Sequence, residues 1–125
     1  MLQNSWKDDS PIYKQLQEQV CRLIVDGTYP EETALPSVRQ VSSEMSINHL
    51  TVAKAYQGLV DQKLLIMKRG VGMFVEIGAQ CRLQAQEKNK FFDQELPAFI
   101  NRLIQLDIEP VDIINKMNEL IKDKK

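Results

Sequence analysis

The strongest constraint on the fold is a break of only three residues, 46–48, between two helical patterns in the middle of the chain. Ser37 precedes the first pattern and Asn48 the second, and both residue types are preferred N-caps. Apolar residues recur at helical spacing on either side of the break, as Val38, Val41 and Met45 and then as Val52, Ala55, Tyr56 and Leu59. Two helices joined by so few residues must cross at a large angle, so the pattern predicts a helix-turn-helix.

A β-hairpin is predicted directly after the second of these helices. Residues 64–67 and 73–77 are short β-prone runs, and they flank Gly70-Val71-Gly72. A hairpin in this position is the wing of a winged helix. Met67 and Met73, in its two strands, are interpreted as core residues rather than as ligands.

An earlier helix is predicted to begin at Ser10 as N-cap with Pro11 as its first residue, and to end at Gly27 and Pro30. Its apolar stripe is Ile12, Leu16, Val20, Leu23 and Ile24. In the first helix of the helix-turn-helix, Ser37-x-x-Gln40 has the form of a capping box, in which each side chain bonds the other residue's backbone N–H.

The net charge of −1 conceals a basic centre. Residues 36–75 contain five basic and two acidic side chains, whereas residues 1–35 contain three and six, and residues 76–125 contain eight and nine. Binding to phosphates depends on the local field, which decays over a Debye length of ~8 Å. The middle of the chain is therefore the predicted nucleic-acid face.

The segment after residue 77 carries an apolar stripe that it is too short to bury by itself. Pro97 lies inside the stripe and is expected to kink or restart the helix, and Glu109-Pro110 opens a last helix. We predict a winged helix-turn-helix domain over residues 1–77 and a helical dimerisation segment over residues 78–125, a mainly α fold with a small β-hairpin. Packing within one chain remains the alternative for the predicted dimer interface, which comprises Phe91, Phe92, Leu96, Phe99, Ile100 and Leu103.

The candidate DNA-binding residues lie at the helix starts and at the wing tip, where winged helices approach a duplex. An arginine can fork onto phosphate or guanine, and glycine permits close approach of the backbone. The alternative for Arg39 is a solvated surface residue, and for the wing tip a tight turn flanked by solvated charges. Leu50 is placed to meet a thymine methyl, with a dimer or wing contact as the alternative. The predicted set is Ser37, Arg39, Asn48, His49, Leu50, Thr51, Lys54, Lys68, Arg69 and Gly70.

Catalytic and membrane classes find no support in the sequence. His49 is the only histidine, and it has no partner with the spacing of a metal site or a catalytic triad. Cys21 and Cys81 are interpreted as reduced thiols of a cytosolic protein. No run is long and apolar enough for a membrane span, and the first residues lack the pattern of a secretory signal. We expect a non-enzyme without cofactor or metal, located in the cytoplasm.

Four ordered motifs occur along the chain: Pro11-Ile12-Tyr13-x-Gln15-Leu16, Leu35-Pro36-Ser37-Val38-Arg39, Thr51-Val52-x-x-Ala55-Tyr56-x-x-Leu59 and Gly70-x-Gly72-x-Phe74-Val75. By these motifs the chain resembles the GntR family of bacterial transcription regulators over roughly residues 10–76. Glycine is common in the family where Glu32 and Lys63 stand, and both differences are expected to be absorbed by the fold. Arginine is common where His49 stands, which puts the usual base preference in doubt.

The short helical tail resembles the YtrA-like branch of that family. We predict a homodimeric repressor of transcription, and its two-fold symmetry implies a palindromic operator in double-stranded DNA. The resemblance implies, as its target, an operon that includes its own gene and a transport system. The alternative is a winged-helix module that binds a protein partner without specific DNA binding. A small-molecule effector is not identified by the sequence.

Overall fold

The computed structural model describes residues 2–124 and confirms the winged helix-turn-helix. The chain divides into two compact units, the first ending at Gln86 and the second beginning at Glu87. In chain order the elements are α1 Ile12–Val25, α2 Val38–Met45, α3 His49–Asp61, β1 Leu65–Lys68, β2 Gly72–Val75, α4 Ala79–Lys90, a π-helical turn Phe91–Glu95, α5 Leu96–Gln105 and α6 Pro110–Lys124.

The first unit is built on the packing of α1 against α3. The two helices approach closely at Gly58, where an added Cβ would overlap the Nε2 of Gln17. That amide donates to the carbonyl of Ala55 at 3.0 Å. The predicted inner face of α3 is confirmed, and the largest fully buried side chains of the unit are Leu16, Val20, Ile24, Val41, Val52, Tyr56, Leu59, Leu64, Leu65 and Val75.

This compact unit extends past residue 77, where the sequence suggested a boundary. Helix α4 follows the wing, and its residues Ala79 and Leu83 are buried in the core formed by α1, α2 and α3. The Nε2 of Gln80 also donates to the carbonyl of Val25 at 2.9 Å. The change to polar composition after residue 78 reflects the exposed side of α4 rather than the end of the folded unit.

The start of α1 was predicted one residue too early. Pro11 is the N-cap residue, with an extended ψ of 149°, and the helix begins at Ile12 without a side-chain cap. The carbonyl of Ser10 accepts a hydrogen bond from the Nε2 of Gln15 at 2.7 Å. Ser10 is thus held in the preceding segment and does not cap the helix.

That preceding segment forms an N-terminal arm, residues 2–10, which two glutamines of α1 hold against the helix. The side chain of Gln15 accepts from the Lys7 N–H and donates to its carbonyl, at 2.8 and 2.7 Å. Gln19 pairs in the same way with Gln3, at 2.8 Å in both directions. Trp6 of the arm packs against the core. The arm, Tyr29 and α2 border an open cleft of about 530 Å³.

The predicted capping box of α2 is half formed. The Oγ of Ser37 accepts the Gln40 N–H at 3.0 Å, as expected of the N-cap. The Gln40 side chain, however, donates to Glu44 at 3.3 Å and does not return to the backbone of Ser37. A carboxylate one turn along the helix attracts the amide in the opposite direction.

The tight connection between α2 and α3 is fixed by its own hydrogen bonds. Ser46 adopts a left-handed conformation with φ of 54°, which ends α2. The Oγ of Ser42 donates to the Ile47 carbonyl at 2.6 Å. Asn48 then caps α3 as predicted, because its Oδ1 accepts the Leu50 N–H at 2.8 Å.

The hairpin pairs Leu65 with Val75 and Lys68 with Gly72. A third segment, which sequence analysis missed, lies along the other edge of β2. Leu35 N–H donates to the Met73 carbonyl at 2.9 Å, and Val75 N–H to the Thr33 carbonyl at 3.0 Å. The wing is thereby joined by backbone hydrogen bonds to the residues that lead into α2.

The interpretation of Met67 as a core residue was wrong. Met73, its partner across the hairpin, is buried at 7% exposure, whereas Met67 is 59% exposed. Only Leu65 of β1 is buried, because the later residues of this strand extend beyond the helices that cover its start. Alternation along the strand alone could not show where that cover ends.

Glu32 and Lys63, where the resemblance led us to expect glycine, have the positive φ that favours glycine. Glu32 and Lys63 have φ of 64° and 62°. Lys63 follows α3 in a Schellman arrangement, in which its N–H bonds Val60 and the Leu64 N–H bonds Leu59, both at 2.9 Å. A side chain in this conformation costs ~1–2 kcal/mol, so the fold tolerates both residues with strain.

In the second unit, the kink or restart expected near Pro97 takes the form of a π-helical turn, and the backbone stays helical from α4 into α5. Phe91–Glu95 forms a π-helical turn in which the Leu96 N–H bonds the carbonyl of Phe91. Pro97 then lies in the first turn of α5, where a missing N–H costs least. Widening the turn also relieves the clash of a proline ring with the carbonyl four residues earlier.

The same unit leaves its apolar side chains in solvent. Within residues 87–124, no residue is buried in a single copy. Of the predicted interface, Leu96 and Leu103 are half-buried, while Phe91, Phe92, Phe99 and Ile100 are 44–53% exposed. The last helix adds the exposed apolar residues Val111, Ile114, Met117, Leu120 and Ile121.

Candidate nucleic-acid interface

The ten candidate DNA-binding residues all lie in the first unit, on α2, α3, their caps and the wing. Thr51 is half-buried, and the other nine are exposed. Lys68-Arg69-Gly70 forms the hairpin tip, where the Val71 N–H bonds the Lys68 carbonyl at 2.9 Å and Gly70 has φ of 77°. The tip thus presents two cations on a turn whose glycine permits a tight backbone.

The two cap residues keep a donor available after capping. Ser37 uses its oxygen as an acceptor for the Gln40 N–H, which leaves its hydroxyl proton able to donate. Asn48 uses Oδ1 for the Leu50 N–H, which leaves both N–H groups of its Nδ2. Each residue can therefore shape its helix start and donate to a phosphate or base acceptor.

Electrostatics at the starts of α2 and α3 favour an anion. Neither helix has an acidic residue in its first turn, so the positive end of each helix dipole is not compensated there. The two carboxylates of residues 36–75 lie elsewhere. Asp61 ends α3, about 18 Å along the axis from His49, and accepts from Gln57. Glu44 is close enough to Tyr29 to raise the pKa of that phenol, after the larger effect of burial.

The helices of the motif are held together by a partly buried hydrogen bond. The Tyr56 hydroxyl of α3 donates to the Pro36 carbonyl, just before α2, at 2.7 Å. Burial raises the pKa of Tyr56 well above its usual value, so the hydroxyl remains a donor. The bond fixes the start of α2, with Ser37 and Arg39, relative to α3.

The candidate cations are not neutralised by carboxylates. Among the described residues the salt bridge in the structure joins Lys116 and Glu119, which belong to the second unit. Two lysines of the first unit instead lie over aromatic rings. The Nζ of Lys54 is 4.1 Å from the centroid of Tyr13, and that of Lys68 is 4.4 Å from the centroid of Phe74. Sequence reasoning missed both rings. Tyr13 belongs to another helix, so its contact does not follow from periodicity, whereas Phe74 lies diagonally across the hairpin from Lys68 on the same face.

Two apolar side chains are also prominent on this side of the unit. Leu50, in the first turn of α3, is 66% exposed, as its candidate contact with a thymine methyl requires. Val71, between the two wing glycines, is 70% exposed and was not among the predicted residues. A signal for it was available, since the tip of a hairpin extends away from the core on which its strands pack.

The family model for bacterial regulatory proteins of the gntR family matches residues 12–75, from α1 to the end of the wing. The chain belongs to the GntR family of DNA-binding transcription regulators. The match spans every element that carries a candidate DNA-binding residue. The resemblance drawn from the four motifs is thereby confirmed.

Two of the similar proteins match this GntR-family chain beyond the winged helix, and a third matches a shorter part of it. The HTH-type transcriptional repressor YtrA of Bacillus subtilis is 28% identical over 98% of this chain and 91% of its own length. A putative GntR-family regulator from Bacteroides thetaiotaomicron has a TM-score of 0.77 and 33% identity, covering 90% of this chain and 99% of that one. AraR(DBD), solved in complex with operator ORE1, has a TM-score of 0.52 and 26% identity, covering 60% and 94%.

Other kinds of site find no support in this GntR-family chain. Within residues 2–124, no group of three or more histidine, cysteine, aspartate or glutamate side chains is arranged to hold a metal ion. No helix in that range is both long and apolar enough to span a membrane. The relatives are named as regulators of transcription and not as enzymes.

Proposed function

We propose that this protein is a homodimeric repressor that binds a palindromic DNA operator through the starts of α2 and α3 and the wing. The observation that carries the proposal is the combination of donors left available after capping and cations without a carboxylate partner, with no carboxylate in either first helical turn. Such a surface matches the phosphates and acceptor groups of a duplex. We call it the DNA face, consisting of Ser37, Arg39, Asn48, His49, Leu50, Thr51, Lys54, Lys68, Arg69 and Gly70.

In this proposal the start of α3 enters the major groove. Recognition helices meet base edges with their N-terminal residues, and Asn48, His49 and Leu50 occupy that end. Arg39 would reach phosphate or guanine from α2. The wing tip would lie in the adjacent minor groove, whose negative potential attracts Arg69.

The second unit supplies the proposed dimer contact. Its exposed apolar side chains present of the order of 1,000 Å² of surface, compared with ~800 Å² per partner in a standard stable interface. Patches of this size on a single copy usually mark an interaction site. A second copy is the proposed occupant, because the same stripe on both chains is self-complementary under two-fold symmetry.

Dimerisation sets the form of the operator. Two DNA faces related by a two-fold axis would read inverted half-sites about 34 Å apart, or a multiple of that distance. Repression would follow from covering a promoter, as the name of the relative YtrA suggests by analogy. An operon that includes the protein's own gene and a transport system is the proposed target. The protein would act in the cytoplasm, where bacterial DNA lies, and without catalysing a reaction.

The test is a mobility-shift assay on the DNA upstream of the protein's own gene, followed by footprinting. We expect one protected region with two-fold symmetry, and an affinity that falls with salt by a logarithmic slope of about −0.9 per phosphate neutralised. Unrelated DNA of the same length is the control for specificity.

A protein-binding winged-helix module would behave differently in the same assay. Its weak association with cognate and unrelated DNA would be equal and nearly independent of salt. This outcome would refute DNA recognition, while symmetric protection by a monomer would refute only the dimer.

A further inference from the structure

Two lysines of the DNA face are held by aromatic rings from other elements. Lys54 on α3 lies over Tyr13 of α1, and Lys68 at the end of β1 lies over Phe74 of β2. Both rings are half-buried, and Tyr13 packs against the core. The lysines themselves are exposed. In each pair, then, a half-buried ring lies beneath an exposed cation.

A ring is a suitable support for a cation that must bind a phosphate. A carboxylate would hold the ammonium but would also cancel its charge, whereas a ring attracts it through the quadrupole and leaves the charge intact. The contact also leaves the ammonium N–H donors available for oxygen. Lysine has a long flexible side chain with high rotamer entropy, so restricting it before binding reduces the entropy lost in the complex.

The same arrangement occurs twice, on two different elements of the DNA face. One pair lies on the recognition helix and the other at the wing. No salt bridge in the described range involves either lysine, so each ammonium group contacts an aromatic ring and no carboxylate. Arg39 and Arg69, which have planar and more rigid cationic groups, have no recorded aromatic support in residues 2–124.

We propose that Tyr13 and Phe74 are positioning residues for DNA binding, which hold the ammonium groups of Lys54 and Lys68 at the places where backbone phosphates dock. This inference rests on the proposed DNA face. It assigns a binding role to two aromatic residues that need not touch DNA themselves.

The experiment measures binding to a short duplex of arbitrary sequence at several salt concentrations, because contacts to phosphates do not require the operator. We expect Tyr13→Leu and Phe74→Leu each to weaken binding about two- to fivefold, in keeping with an exposed cation–π contact. Tyr13→Phe keeps the ring and should bind like the parent protein. Leucine retains apolar packing, and thermal unfolding checks that each variant is folded.

A double-mutant cycle separates positioning from a general structural role. Lys54→Met should reduce the magnitude of the logarithmic salt slope by about 0.9, the value for one phosphate contact. Adding Tyr13→Leu to Lys54→Met should then have no further effect. Arg22→Met is the control, because it removes one positive charge from α1 about 13 Å along the helix axis from Tyr13. It should change the salt slope less than Lys54→Met does.

A DNA-free measurement accompanies the cycle. The side-chain methylene protons next to Nζ of Lys54 should show an upfield ring-current shift by NMR, lost in Tyr13→Leu and kept in Tyr13→Phe. An equal loss of binding from Tyr13→Leu with and without Lys54 would overturn the inference, as would tighter binding by Tyr13→Leu. If the parent protein binds the duplex without salt dependence, the proposed function fails as well, whereas a parent-like Tyr13→Leu refutes this inference alone.

Discussion

The two compact units of this chain differ in how far they bury their apolar side chains. In the first unit, Leu16, Val52 and Tyr56 are at most 1% exposed, within a core closed by α1, α3 and α4. In the second, Phe99 and Ile100 remain nearly half exposed, and α5 and α6 bury no residue. A unit that completes its own core needs no partner to fold. One that does not complete its core gains stability from a partner, so DNA reading and assembly are expected to be separable by mutation.

The sharpest test of this contrast is Phe99→Asp, for which the largest effect is expected. Loss of aromatic packing alone costs ~3–5 kcal/mol, and a carboxylate at an apolar interface adds to it. We expect monomers by sedimentation velocity, with weak half-site binding and a first unit that keeps its near-UV circular dichroism. Asn101→Asp, on the opposite side of α5, is the matched control and should remain dimeric. An unchanged dimer in Phe99→Asp would contradict the proposed interface.

The reciprocal test leaves assembly intact and removes DNA binding. Arg39→Ala and Arg69→Ala are each expected to lose ~1–3 kcal/mol of affinity for operator DNA, because each deletes a charged donor of the DNA face. Sedimentation should give the parental dimer for both. Lys116→Ala is the control, because it removes a cation from the second unit, and its affinity for operator DNA is expected to equal that of the parent protein. Parental affinity in both arginine variants would show that the DNA face is elsewhere.

A smaller effect should separate the two roles of Asn48. Asn48→Ala loses the N-cap and is expected to destabilise the first unit by ~1 kcal/mol in urea unfolding. Asn48→Asp retains a good cap but replaces the free amide donor by a negative charge. It should therefore unfold like the parent protein and still bind DNA more weakly. Equal binding by Asn48→Asp and the parent would restrict Asn48 to capping.

The smallest effect concerns the stability of the first unit alone. Lys63→Gly should stabilise it by about 0.5–1 kcal/mol, since relief of the left-handed strain exceeds the added flexibility of glycine in the unfolded chain. Lys63→Ala removes the same charge and keeps the strain, so it should show no gain in urea unfolding. A gain of equal size in both variants would assign the effect to charge.

Much of the fold followed from local signals in the sequence. Ser37 and Asn48 were identified as caps because a cap depends on the next two or three residues. At Lys63 the resemblance pointed to a turn position that favours glycine, and the positive φ there agrees with it, although the strain itself was not predicted. An irregularity near Pro97 followed from the proline ring, which disturbs a regular α-helix.

The missed features depend on residues distant in sequence. The pairing of residues 32–35 with β2 required knowledge of where the wing packs. Met67 looked internal because alternation cannot reveal where the covering helices end. Tyr13 meets Lys54 only after α1 and α3 have packed. The roles assigned to the DNA face and to the apolar stripe remain predictions for the experiments above.

The hydrogen bonds by which Gln15 and Gln19 hold the N-terminal arm have a practical consequence. Trp6, the only tryptophan of the chain, lies within the segment that they hold. Its fluorescence is therefore a local optical signal for release of this segment, separate from global unfolding. A tag fused ahead of Gln3 would disturb the hydrogen bonds between Gln3 and Gln19 first. Release of the arm would then shift the Trp6 emission to longer wavelength.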